Sequence, residues 1–132
     1  MISDRLERLE KALAIMGWQR PLLVVDVPVR LVNTSNGREH WRATAKRAKT
    51  VRALARSLIK RRVVPLPCSV RLVYVGPRHL DDDGVASAVK SLRDGVADAL
   101  GVDDRDPSVV WVPDQERGGV REYGARVEIY LG

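Results

Sequence analysis

Three aspartates in a row, Asp81, Asp82 and Asp83, stand where a helix is about to begin, in the stretch "HLDDDGVASAVK" from 79 to 90. Adjacent carboxylates repel, and each needs water, a donor or a cation to offset its charge. Hard carboxylate oxygens without a neighbouring His or Cys pair suit Mg2+ or Mn2+ rather than zinc. A divalent cation held there would relieve the repulsion, activate water and stabilise charge on a transferring phosphoryl group. In an extended stretch, residues two apart point the same way, so Asp81 and Asp83 are expected to converge while Asp82 points outward. Asp83 stands where an N-cap belongs, and its carboxylate can accept from the first helical N–H groups. A capped, solvated turn is the plainer account of the same three residues.

Helical rotation carries the pattern further. Val85, Val89, Leu92, Val96, Ala99 and Leu100 fall on one side of a helix over 84–100 and make its core face. Asp83, Ser87, Lys90, Asp94 and Asp98 fall on the opposite side, so Lys90 rises from the face of Asp83, two turns on. A lysine there could neutralise a transition state or leaving oxygen. Lys90 and Asp94 also form an i,i+4 pair, which makes a surface ion pair the simplest role for Asp94. Beyond Gly101 the chain reaches a second acidic group, Asp103, Asp104 and Asp106. Eight of the 17 acids lie between 81 and 106, all of them Asp.

The bases lie elsewhere. Residues 38 to 62 hold ten Lys and Arg against the single acid Glu39, a local charge of +9 that leaves −3 on the rest of a chain whose total is +6. Arg42, Lys46, Lys49, Arg52 and Arg56 share one flank of a helix. A solvated face usually mixes signs and gains from opposite i,i+4 pairs, whereas this flank repels itself unless an anion lies along it. A nucleic-acid backbone fits that need better than a membrane surface, because the face lacks deeply inserting aromatics beyond Trp41.

These side chains need a scaffold. At 132 residues, 45% hydrophobic, the chain fits one domain with one modest core. The periodicity predicts a helix over 3–16, a strand over 21–32 whose Pro28 marks an edge or bulge, and a long helix over 38–62. It then predicts strands at 68–76, 108–112 and 125–131, the last two joined by hairpin chemistry at Gly118 and Gly119. This is an α/β (α+β) pattern in a single domain: a mixed four-stranded sheet packed with two main helices. Residues 1–20 read as an N-terminal helical extension to a domain spanning 21–132. The one cysteine, Cys68, heads an apolar run and reads as a buried thiol. No stretch reaches the ~18 apolar residues of a membrane span, and the N-terminus lacks the continuous apolar region of a signal peptide, so the expected location is cytoplasmic.

The stretch "LDDDGVASAVKSLRDGVADALGVDDRDP", 80 to 107, resembles the RusA-like Holliday-junction endodeoxyribonucleases, often borne by phages and prophages. That family carries a D-x-D-N helix start, a lysine on the following helix and an Asp-Asp pair after it. "VNTSNGREHWRATAKRAKTVR", 33 to 52, is similar to its Asn-containing loop and basic first helix. The resemblance covers roughly 24 to 131. It implies a Mg2+-dependent endonuclease that resolves branched DNA by phosphodiester hydrolysis in recombination or repair, with Mn2+ as an alternative ion and no small-molecule cofactor. It implies Asp81, Asp83 and Asp104 as metal ligands, with Asp103 and Asp106 as alternatives to Asp104, and Lys90 as the catalytic lysine. Asn33, Arg38, His40, Arg42, Lys46, Lys49, Arg52 and Arg78 would face the DNA, and the protein would act as a homodimer. The chain departs from the motif at Gly84, where the family has Asn, and at Ser87, where the best-known form has its lysine. An Asn side chain could orient a carboxylate and Gly cannot, so a catalytically degenerate nucleic-acid-binding protein of the same fold is the alternative.

Overall fold

A computed structural model of the chain describes residues 2–32, 41–60 and 62–132, with backbone alone at 2–6 and 18. Asn33, Arg38 and His40 lie outside the described residues. Seven elements follow in order: α1 (Ile2–Trp18), β1 (Leu23–Val27), α2 (Trp41–Ile59), β2 (Cys68–Gly76), α3 (Asp82–Leu100), β3 (Val109–Arg117) and β4 (Gly124–Leu131). The sheet has four strands in the order β1-β4-β2-β3. β2 and β3 are parallel, while β4 runs antiparallel to both β1 and β2. The expected mixed α/β class and four-stranded sheet are therefore present.

The sheet is covered on one face by α2 and α3. Val25, Val27, Val70, Leu72, Val127 and Ile129 point into that layer and meet Val51, Ala55 and Ile59 of α2 and Val89, Leu92 and Val96 of α3. The alternation then places Ser69, Val73, Val112 and Tyr130 on the second face, where they too are buried. The N-terminal helix, expected as an extension, packs on the sheet. It touches β3, buries Ala12, and its Arg8 donates to the Pro107 carbonyl at 3.3 Å.

β3 and β4 do not form the expected hairpin. Both are neighbours of β2, on opposite sides of it. The connection over 118–123 therefore spans two strand spacings, about 10 Å, across the end of β2. A two-residue turn could not reach, and the Gly118 N–H instead donates to the Gly76 carbonyl at 2.8 Å. β3 also runs through Arg117, five residues beyond the apolar "SVVWV". It is an edge strand, which is where Pro113 can stand without breaking a ladder.

α2 and α3 pack unusually closely at Gly95. A Cβ added there would lie 2.4 Å from the Arg52 carbonyl oxygen and 2.8 Å from the Ala55 Cβ. α3 ends where the sequence places its stop, at Gly101 in the left-handed region with φ 70°.

The second sheet face carries a charged network that no local pattern in the sequence marks. Arg71 binds Asp114 at 2.8 Å and Glu128 at 3.0 Å, and Arg126 binds Glu128 at 2.8 Å and also Glu116. The Tyr130 hydroxyl donates to Glu128 at 2.6 Å. Burial pushes Glu128 up, but Tyr130, Arg126 and Arg71 outweigh it and leave its pKa below the ordinary value. The Arg126 bond likewise holds Glu116 below its ordinary 4.5. Groups depressed in the fold contribute stability that is present above the unfolded value and lost as pH falls through the folded one. Thermal melts should therefore drop as pH is lowered from about 5 toward 3. Glu116→Gln should flatten that dependence, and equal slopes for both chains would remove Glu116 from the account.

Candidate metal and nucleic-acid site

The topology gathers one end of the molecule. β1, β2 and β3 are mutually parallel and end there, and α2 and α3 begin there. Carboxyl ends of parallel strands are where α/β proteins commonly hold ligands. The three aspartates occupy this end, and all three are exposed.

The helix starts two residues earlier than expected. Asp81, not Asp83, is the N-cap: its backbone is extended, and its Oδ1 accepts from the Gly84 N–H at 2.7 Å. Asp82 and Asp83 are already helical and complement the positive end of the helix dipole. Asp83 thus lies in the helix and not in an extended stretch, so strand alternation does not bring it to the side of Asp81. The Gly84 backbone N–H orients Asp81, as the N–H of any non-proline residue there would, and the side-chain donor that an Asn would add has no counterpart at this position.

Gln115 fixes the approach to this helix. Its Oε1 accepts from the Leu80 N–H at 2.9 Å and its Nε2 donates to the Leu80 carbonyl at 2.8 Å. That two-way clamp ties the loop before α3 to β3 and sets the aspartates against the sheet. Nothing in the sequence marks Gln115, because the clamp depends on β3 running past Pro113. Asp82 shares a notch with Val85, Pro113, Asp114 and Gln115, so the carboxylate across the notch from the head of α3 is Asp114.

Asp104 is not brought to this group within one chain. It pairs with Arg93 at 3.4 Å, and its carbonyl accepts from the Trp111 indole at 3.0 Å. Arg93 lies eleven residues beyond Asp82, roughly 16 Å along the helix axis. Asp103 accepts from the Arg105 N–H and Asp106 from Ser108, contacts that hold both carboxyls below their ordinary pKa. Among the described residues, no group of three or more His, Cys, Asp or Glu is gathered as a metal site. The set Asp81, Asp83 and Asp104 is thus not assembled in one chain. The head of α3 alone still offers what Mg2+ commonly takes from a protein: one or two carboxylates, with water and substrate phosphate completing the shell.

Lys90 stands on the outer flank of α3, two turns and about 10 Å from Asp83. It lines a cleft of about 240 Å3 between α2 and α3, together with Thr44, Arg47, Ser87, Ser91 and Asp94. Ser87 and Lys90 therefore do share a face. Among the described residues no salt bridge joins Lys90 to Asp94.

α2 contains six bases and no acid. Arg42, Lys46 and Lys49 are exposed along it. Arg52 is held by Asp98 in a two-point pair at 2.6 and 2.9 Å, which raises the arginine's pKa and lowers the aspartate's. Below it a groove of about 330 Å3 is lined by Lys49, Arg52, Arg56, Lys60 and Asp98, so the cationic surface continues past Arg52. Arg78 is exposed in the loop after β2, next to His79, whose ring lies 3.5 Å from Gln115. Cys68 is buried, and burial pushes its thiol up to about 11, which leaves no nucleophile there.

No family model matches the chain. No solved structure matches it. An uncharacterized protein of Xylella fastidiosa (strain Temecula1) is similar to it, 39% identical over 79 residues that cover 53% of this chain and 52% of that protein. The chain thus spans about half the length of the curated relative it matches. No helix among the described residues is long and apolar enough to cross a membrane.

Proposed function

We propose that the protein is a Mg2+-dependent endodeoxyribonuclease of the RusA-like kind, acting as a cytoplasmic homodimer on branched DNA. The observation that carries this reading is one juxtaposition: an exposed aspartate cluster at the head of α3 lies beside the head of the acid-free, cationic α2. Acids alone at a helix start would be capping, and bases alone would be a binding face. Together at the carboxyl end of a parallel layer they suit a phosphodiester held by cations and presented to carboxylates. Mg2+, when bound, supplies charge neutralisation at the phosphate and a more acidic water. Within the chain, Asp83 and a neighbouring carboxylate would hold the ion, and the Gly84 N–H and Gln115 orient the head. Arg42, Lys46 and Lys49 track the backbone, and Lys90 offers a cation to the phosphate from the α2–α3 cleft. The same geometry lends support to the non-cleaving alternative at two places: Asp81 is engaged as a cap, and Asp104 is paired with Arg93.

Binding to branched DNA should fall steeply with salt. Changing Lys46 and Lys49 to Gln should flatten the log–log slope by about 1.4 to 1.8. An unchanged slope would leave α2 as an ordinary solvated face.

One chain offers one acidic head, whereas symmetric resolution of a junction needs two cuts, so a twofold dimer is expected. Light scattering at micromolar protein should give twice the chain mass, and a species of 14.7 kDa alone would contradict it.

A further inference from the structure

Trp41 opens α2 and is 68% exposed. That is unusual for an indole, which on average is highly buried. Its position follows from how the helices pack. Gly95 of α3 meets Arg52 and Ala55 of α2, and the cleft between the helices is lined by Thr44, Arg47, Ala48 and Val51 of α2 and by Ser87, Ala88, Ser91 and Asp94 of α3. Numbers rise together along both helices, so they run parallel in a constant offset. Carried back to the start of α2, that offset sets Trp41 level with Asp83 and Gly84. The cations follow at once along the same helix, with the Arg42 guanidinium 5.2 Å from the ring centroid. Among the described residues Tyr123 is a second exposed aromatic, with the Arg30 guanidinium 4.0 Å from its ring centroid as Arg42 lies over Trp41.

An exposed indole leading into a row of cations is the pairing that unpaired nucleic acid takes, with phosphates on the bases of the protein and a nucleobase on the aromatic face. An anchor in a membrane surface would need further large apolar groups on the same face, and along its first two turns α2 offers Ala45 and Ala48 there. We propose that Trp41 is a base-stacking platform: its indole takes an unpaired or unstacked nucleobase at a branch point and so sets the adjoining backbone at the head of α3. The inference rests on the branched-DNA reading and adds the feature that separates a branch from continuous duplex. In continuous duplex no base is free to leave the stack without an unpairing cost.

The test compares the full-length protein with Trp41→Ala and Trp41→Phe in EDTA, so that nothing is cut. The probes are a four-way junction, a duplex bearing a bulged thymine and a blunt duplex of equal length. Trp41→Ala should weaken binding to the junction and the bulge about tenfold or more. It should leave blunt-duplex affinity and salt slope unchanged, and Trp41→Phe should restore most of the loss. Equal weakening on all three probes, or none on any, overturns the stacking role while the DNA-binding reading stands. If the unaltered protein binds none of the probes, the functional reading itself fails and this inference with it.

Discussion

Asp83→Asn should fold normally, bind a four-way junction at least as tightly as the unaltered protein and lose Mg2+-dependent cleavage. The loss expected is on the order of a thousandfold, because a divalent ion supplies several kcal/mol at a phosphoryl transition state and about 1.4 kcal/mol is a factor of ten. Folding should survive because Asp83 is exposed and is not the cap. The charge removed from the first turn costs about 0.3 to 1 kcal/mol of dipole interaction. Binding should improve because a negative charge beside a polyanion has gone. Asp81→Asn should behave alike, since Asn caps a helix as well as Asp and keeps an oxygen for the Gly84 N–H. Asp82→Asn should keep most activity, because Asp82 lines the notch against β3 while Asp83 shares the α2 flank with Ser87 and Lys90. A loss at Asp82 equal to that at Asp83 would move the ion into the notch shared with Asp114. Normal cleavage by both Asp81→Asn and Asp83→Asn would reduce the cluster to a helix cap.

Gly95→Ala should destabilise the chain markedly. The new Cβ would meet the Arg52 carbonyl oxygen at 2.4 Å, and that atom is helix backbone, which cannot rotate aside. The helices would have to separate, with a cost of about 1 to 3 kcal/mol or more. For a domain of this size that lowers Tm by roughly 5 to 15 °C. Gly17→Ala is the control, because nothing lies within 4 Å of a Cβ there and Ala is the better helix former. A Tm for Gly95→Ala equal to that of Gly17→Ala would show that α2 and α3 are not in this close contact. The same change should also disturb the heads of the two helices, since the packing at Gly95 sets their offset.

The parts of the fold whose signals are local are legible in the sequence. Cys68–Gly76 reads as a strand because its apolar run is bounded by prolines and glycine, and Gly101 stops α3 because only a left-handed residue closes that turn. The acidic head and the cationic α2 are visible as composition. What was missed depends on partners distant in sequence. β3 looks like a loop from Pro113 on, since its polar residues face Arg71 and Arg126 rather than a core. The hairpin expectation failed because Gly118 and Gly119 specify a tight turn, not which strand lies between β3 and β4. Arg52 looks like a phosphate contact along α2 until α3 packs beside it and Asp98 takes it. The N-cap slipped by two residues because any of three aspartates can cap. The choice fell to Asp81 where the Gln115 clamp holds Leu80.

The central claim is that the acidic head of α3, beside a cationic α2, cuts branched DNA with Mg2+. The most direct measurement incubates the unaltered protein with an end-labelled four-way junction and a matching linear duplex, in Mg2+, in Mn2+ and in EDTA. The account predicts paired incisions near the branch of the junction in Mg2+, none in EDTA and none in the linear duplex. Tight junction binding with no incision in either metal would contradict it, and would make the protein a binding module.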